Sequence, residues 1–202
     1  MSAINEAIVR EFFELHGFLV RQDRKYEARG KQEIDGIDFF VWNPQPVSPA
    51  APAPFVLDSA DLASVNRALV VVRGWHTESF GPALLESSPE MFRFVEPAVF
   101  QQAARAFSPD LAPLKILIVP ALPQTAAARA QSIALLRAKG VDAVISFRTM
   151  LADLIARVEV NRNYDKSDLL QVIRVLKNYQ LFKEPQLELF RGARRSKRPR
   201  RA

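Results

Sequence analysis

Two carboxylates, Asp35 and Asp38, stand at the mouth of an otherwise apolar strand in the stretch Glu33-Ile-Asp-Gly-Ile-Asp-Phe-Phe-Val-Trp-Asn-Pro44. An acid beside a buried strand is costly to desolvate, which makes both of them candidates for a specific task. Three positions apart on an unbroken strand they face opposite sides, unless Gly36 bulges the chain. Asp35, within Glu-Ile-Asp-Gly, reads as the turn residue and Asp38 as the site position. The stretch that would complete the chemistry is Arg67-Ala-Leu-Val-Val-Val-Arg-Gly-Trp-His76. An antiparallel hairpin brings the start of one strand beside the end of the other, so the two aspartates would neighbour Val71, Arg73 and His76. Arg73 stays protonated, which suits it to binding phosphate and makes it a poor general base. It would serve equally as an internal ion-pair partner for Asp38. His76 has local hydrogen bonding as its plain reading, and Trp75 is core, pocket wall or a platform for a base.

Other chemistries are excluded by what is missing. The seven glycines show no phosphate-loop or dinucleotide spacing, and Pro-Ala-Leu-Pro after Val119 cannot cradle a phosphate. With no cysteine, thiolate zinc sites, thiol nucleophiles and disulfides are ruled out, and two isolated histidines argue against a structural zinc site. The Gly-x-Ser-x-Gly turn of serine hydrolases is absent.

The elements that must position these side chains follow from periodicity. Residues 4–16 place Ile4, Ile8, Phe12 and Leu15 on one stripe and predict an amphipathic helix ended by Gly17. Strands are expected over 18–21, 37–42 and 67–73, with Asn43-Pro44 closing the second because proline cannot donate to a ladder. Between the last two lies a proline-rich inserted loop, 43–65, either mobile or packed as an irregular flap. Pro89 opens a helix running to about Ala106. A strand over 114–119, a helix over 126–139 and a strand over 141–146 form a parallel unit. Helices over 149–158 and from a cap at Asp165 or Ser167 to Tyr179 complete the chain. These elements make an α/β class, with residues 1–190 as one domain and 191–202 as a flexible tail.

The chain has 202 residues, 49% of them hydrophobic, which is ample for one core. Apolar runs fall far short of the roughly 20 residues needed to span a bilayer, and Met-Ser-Ala-Ile-Asn-Glu is no signal sequence. The expectation is a cytoplasmic protein without membrane contact. The net charge of +6 is unevenly spread: residues 191–202 hold seven basic groups and no acid, and the remainder is at −1. Arg194, Arg195, Lys197, Arg198, Arg200 and Arg201 would neutralise phosphates without reading sequence, or act as a solubilising appendage.

The order helix, three strands, helix, strand over residues 4–120 resembles the core of the PD-(D/E)xK superfamily, the restriction-endonuclease-like and Holliday-junction-resolvase-like nucleases. Glu6 looks like that family's helix glutamate and Asp38 like its strand-two aspartate before an Asn-Pro turn. Val71-Val72-Arg73-Gly74-Trp75 falls where the family has Glu-x-Lys-Gly. The resemblance implies hydrolysis assisted by magnesium or manganese, with carboxylate oxygens holding the metal and lysine orienting water. Here Val71 offers no oxygen and Arg73 replaces the lysine. Three readings follow. The first is a nuclease-derived domain that no longer cleaves and associates with nucleic acid, DNA before RNA. The second is an active nuclease in which Asp38 and Glu6 hold the metal with Asp35 or Glu78 in place of the lost carboxylate. The third is an interaction subunit, for a protein partner or a homodimer, with no nucleic-acid role.

Overall fold

The computed structural model describes residues 2–22, 36–48, 53–74, 76–77, 79–107 and 112–182. Asp35, Trp75, Glu78 and the basic tail lie outside them. The chain divides into two compact units, Met1–Arg157 and Val158–Ala202.

The first helix, α1 (Ala3–Leu15), starts where the Ser2 side chain accepts from the Ile4 N–H. It ends in a Schellman motif. Gly17, at φ +81°, lets Phe18 N donate to Phe13 O (3.1 Å) and Gly17 N to Glu14 O (2.9 Å), while the Phe13 and Phe18 rings meet at 5.3 Å. The buried stripe is Asn5, Ile8, Val9, Phe12 and Phe13. It is rotated from the expected one, since Ile4 is 66% exposed.

Strands β1 (Leu19–Gln22), β2 (Phe39–Trp42) and β3 (Arg67–Val72) run antiparallel in sequence; β4 (Leu114–Val119) and β5 (Ala143–Ser146) extend the sheet in parallel, in the order β1-β2-β3-β4-β5. The predicted strands are all present, that over 114–119 with the bounds expected and the others with ends shifted by at most two residues. Leu69 and Val71 of β3, Leu117 and Val119 of β4 and Val144 of β5 share one apolar cluster with helical residues Leu85, Phe94 and Leu136. The residues between them point to the opposite face.

A short helix, α2 (Pro82–Ser87), precedes Pro89, and the expected helix from Pro89 to Ala106 is instead two pieces, a 3₁₀ helix (Pro89–Val95) and α3 (Pro97–Ala104). All three open on a proline, and Ser88 and Glu96 before the second and third leave helical geometry (ψ 65° and 133°). A proline clashes with a helical residue before it, so Pro89 and Pro97 each end the preceding element. Helix α4 (Ala126–Ala138) packs with α2, and α5 (Phe147–Arg157), which leaves β5 without a loop, packs with α1.

Within the proline-rich loop residues 55–65 are packed, whereas residues 44–48 are exposed. Phe55, Leu57, Leu62 and Val65 are buried, and Val56 bridges to Val144, with Val144 N donating to Phe55 O (2.8 Å) and Leu57 N to Val144 O (2.9 Å). The loop therefore covers the open edge of β5.

In the second unit α6 (Asp168–Asn178) is capped by Ser167, whose hydroxyl accepts from Leu170 N at 3.2 Å. Lys177 Nζ and Arg174 Nε donate to the carbonyls of Val158 (2.6 Å) and Val160 (2.8 Å), tying the preceding strap to this helix.

Candidate functional site

Asp38 precedes β2, and its N–H donates to Val70 O at 3.0 Å, which extends the β2–β3 ladder by one bond. That pairing sets its carboxylate against the end of β3, where Oδ2 accepts from Val72 N at 2.7 Å. Arg73 is the first residue past β3. Its N–H donates to Ile118 O at 2.8 Å, which anchors the chain to β4. The guanidinium folds back, Nη1 donating to Val72 O at 3.0 Å and lying 3.8 Å from Asp38 Oδ2. Both side chains are about four-fifths covered. Gly36, at φ +91°, carries the chain over this pair, with Arg73 Nη2 3.9 Å from where a Cβ would stand.

Burial pushes the Asp38 carboxyl up to about 6; the Val72 N–H and the Arg73 guanidinium pull it down, and the carboxylate of Glu6 adds to the upward push. Burial also lowers the Arg73 guanidinium from its ordinary value, against the attraction of Asp38 and Glu90. Desolvation therefore outweighs the ion pair, as expected when two charges leave water without direct hydrogen bonding between them.

Glu6 lies on α1 close enough to act on Asp38 electrostatically, but its own partner is Gln22 on β1, whose Nε2 donates to Glu6 Oε2 at 2.6 Å. Arg10 donates to the other end of the same amide. His76 is engaged elsewhere: its Nε2 meets the Oδ1 of buried Asn5 at 2.9 Å, and its ring packs edge-on against Phe147, 4.7 Å between centroids. Gly74 makes room for this arrangement, since a Cβ there would stand 1.9 Å from Asn5 Nδ2.

The structure thus brings Glu6, Asp38 and Arg73 together and assigns His76 to a contact between α1 and α5. Val71 is fully buried in the apolar cluster, so the position where the family resemblance expects a glutamate is a core position. Asn5, Arg10 and Gln22 were not anticipated from sequence. Asn5 carried a signal nonetheless, as a polar residue in register with Ile8, Phe12 and Val9 on the buried face of α1.

A hard divalent cation requires several convergent oxygens. Among the described residues no three acid, histidine or cysteine side chains gather to hold one. Asp38 Oδ2 already faces an N–H and a guanidinium, and Glu6 is bonded to Gln22. The described donor set does not fit such an ion. The arrangement offers a partly buried acid with a raised pKa beside a fixed cation. No family model, curated protein or solved structure matches the chain.

Proposed function

We propose that this chain is a nuclease-type α/β scaffold that binds nucleic acid without cleaving it, with an internal ion pair standing where a metal site would be. The observation that carries the reading is the guanidinium of Arg73, 3.8 Å from the carboxylate of Asp38, at the end of the hairpin. An arginine cannot relay protons at neutral pH, and it offsets the aspartate's charge without a bound cation. The element order, one helix, three antiparallel strands and a crossover to a parallel fourth, supports the scaffold. The nucleic-acid partner, DNA before RNA, is supported by the charge of residues 191–202, seven cations appended to a nearly neutral body. Such a segment attracts phosphate backbones by counterion release and reads no bases.

The test is incubation with magnesium or manganese and single- and double-stranded DNA and RNA, followed by electrophoresis. Binding without cleavage is expected. Metal-dependent cleavage that disappears in Asp38→Ala would overturn the non-cleaving assignment. Absence of binding to every substrate would overturn the nucleic-acid assignment and favour a protein-interaction role.

A further inference from the structure

The sheet has two outer strands, and they are treated differently. The edge of β5 is covered by residues 55–57. Among the described residues no strand pairs with the outer edge of β1. Beside that edge lies a cavity of about 200 Å³ lined by Leu19, Arg21, Phe40, Trp42 and Phe107. The register sets Leu19 opposite Trp42 and Arg21 opposite Phe40, so these four share one face of the sheet. Leu19 is 57% and Trp42 43% exposed, an apolar pair in water. The Arg21 guanidinium rests 4.7 Å above the centroid of the Phe40 ring, and no carboxylate among the described residues pairs with it.

An open strand edge next to an apolar hollow and a cation defines what would fill it. The complement is an extended segment carrying an acid opposite Arg21 and, two positions further on, a large apolar side chain opposite Leu19. Residues 183–202 lie outside the described residues and include Gln186-Leu-Glu-Leu-Phe190. Running antiparallel to β1, Glu188 would face Arg21, Leu189 would face Val20 and Phe190 would face Leu19. The hollow is large enough for the ring, since cavities of about 150 Å³ hold benzene. An opposite-charge pair and an aromatic contact on one face are the pairings that stabilise neighbouring strands.

We propose that Leu187–Phe190 of a second copy adds to the outer edge of β1, with Phe190 in the hollow and Glu188 against Arg21. Exchange between two copies closes as a twofold dimer in which each groove is filled by the other chain's segment. The interface uses neither Asp38 nor the basic residues beyond Phe190.

The molar mass of the full chain is measured by light scattering after size exclusion across a dilution series, with circular dichroism to confirm folding of each variant. A concentration-dependent dimer is expected. Phe190→Ala should weaken it at least tenfold, Arg21→Glu and Glu188→Arg should each shift it to monomer, and the double variant R21E/E188R should restore it. A wild-type chain that is monomeric throughout overturns the proposal, whether or not the segment binds some other protein. So does a dimer unchanged by Phe190→Ala and Arg21→Glu, or single-variant losses that the charge swap fails to rescue.

Discussion

Asp38 is held in its place at a cost that pH can reveal. Its carboxyl is raised from 3.8 to about 6, so the folded state holds that proton more tightly than the unfolded chain does. The stability this contributes is fully present below about pH 4 and lost as pH rises through about 6. Asp38→Asn keeps an oxygen to accept from Val72 N and cannot ionise; the attraction to Arg73 is already counted in the raised value. The variant should be more stable than the wild type by about 1–3 kcal/mol at pH 8, with the difference closing by about pH 4. Urea midpoints across that range measure it. Gly74 permits a second test, because its missing Cβ is where Asn5 sits. Gly74→Ala should cost about 1–3 kcal/mol through overpacking and little when Asn5 is already alanine, a coupling that a double-mutant cycle reads directly.

Between elements, the joint between α1 and α5 is polar as well as apolar. His16 Nε2 lies 2.9 Å from Asp153 Oδ2, Arg157 Nε donates to both oxygens of the same carboxylate (3.1 and 2.9 Å), and the side chain of Asp153 is only 12% exposed. Burial alone would raise the Asp153 carboxyl, but hydrogen bonds from His16, Ser59 and Arg157 hold it below its ordinary value. A depressed acid contributes stability that is present above its unfolded pKa and lost as pH falls through the folded one. Asp153→Asn should therefore cost about 1–3 kcal/mol at pH 7, and the deficit should shrink as pH falls below about 4. Thermal melts of both proteins across that range check it. The same carboxylate reaches Ser59 in the packed part of the proline-rich segment, so one side chain ties the two helices to the cover over β5.

For the molecule as a whole, the separation of a near-neutral body from a cationic terminus predicts how salt will act. Removing residues 191–202 should flatten the dependence of nucleic-acid affinity on salt by about 0.9 in log–log slope for each phosphate that the shortened chain no longer neutralises. The fold should be unaffected, which fluorescence anisotropy and circular dichroism on the truncated chain would verify. If the slope is unchanged by truncation, the folded units carry the phosphate-binding groups.

Local pattern was sufficient for most of the architecture. The apolar runs 67–73 and 114–119, Gly17 as a helix stop and Ser167 as a helix start are short-range signals, and the structure places an element end at or near each of them. Helix 89–106 failed for an equally local reason: Pro97 forbade the geometry that the apolar spacing suggested. Asp38 and Arg73 were legible as neighbours, because an antiparallel hairpin leaves their strands little choice of register. That Val71 belongs to the core, that His76 answers to Asn5, and that residues 55–57 cover β5 were not legible, since each depends on which sheet face or edge a distant segment meets. The sequence by itself determined the elements and the charge division, which arise from near neighbours and composition. Only the tertiary structure decided that desolvation outweighs the Asp38–Arg73 attraction, because burial is a property of everything packed around a side chain.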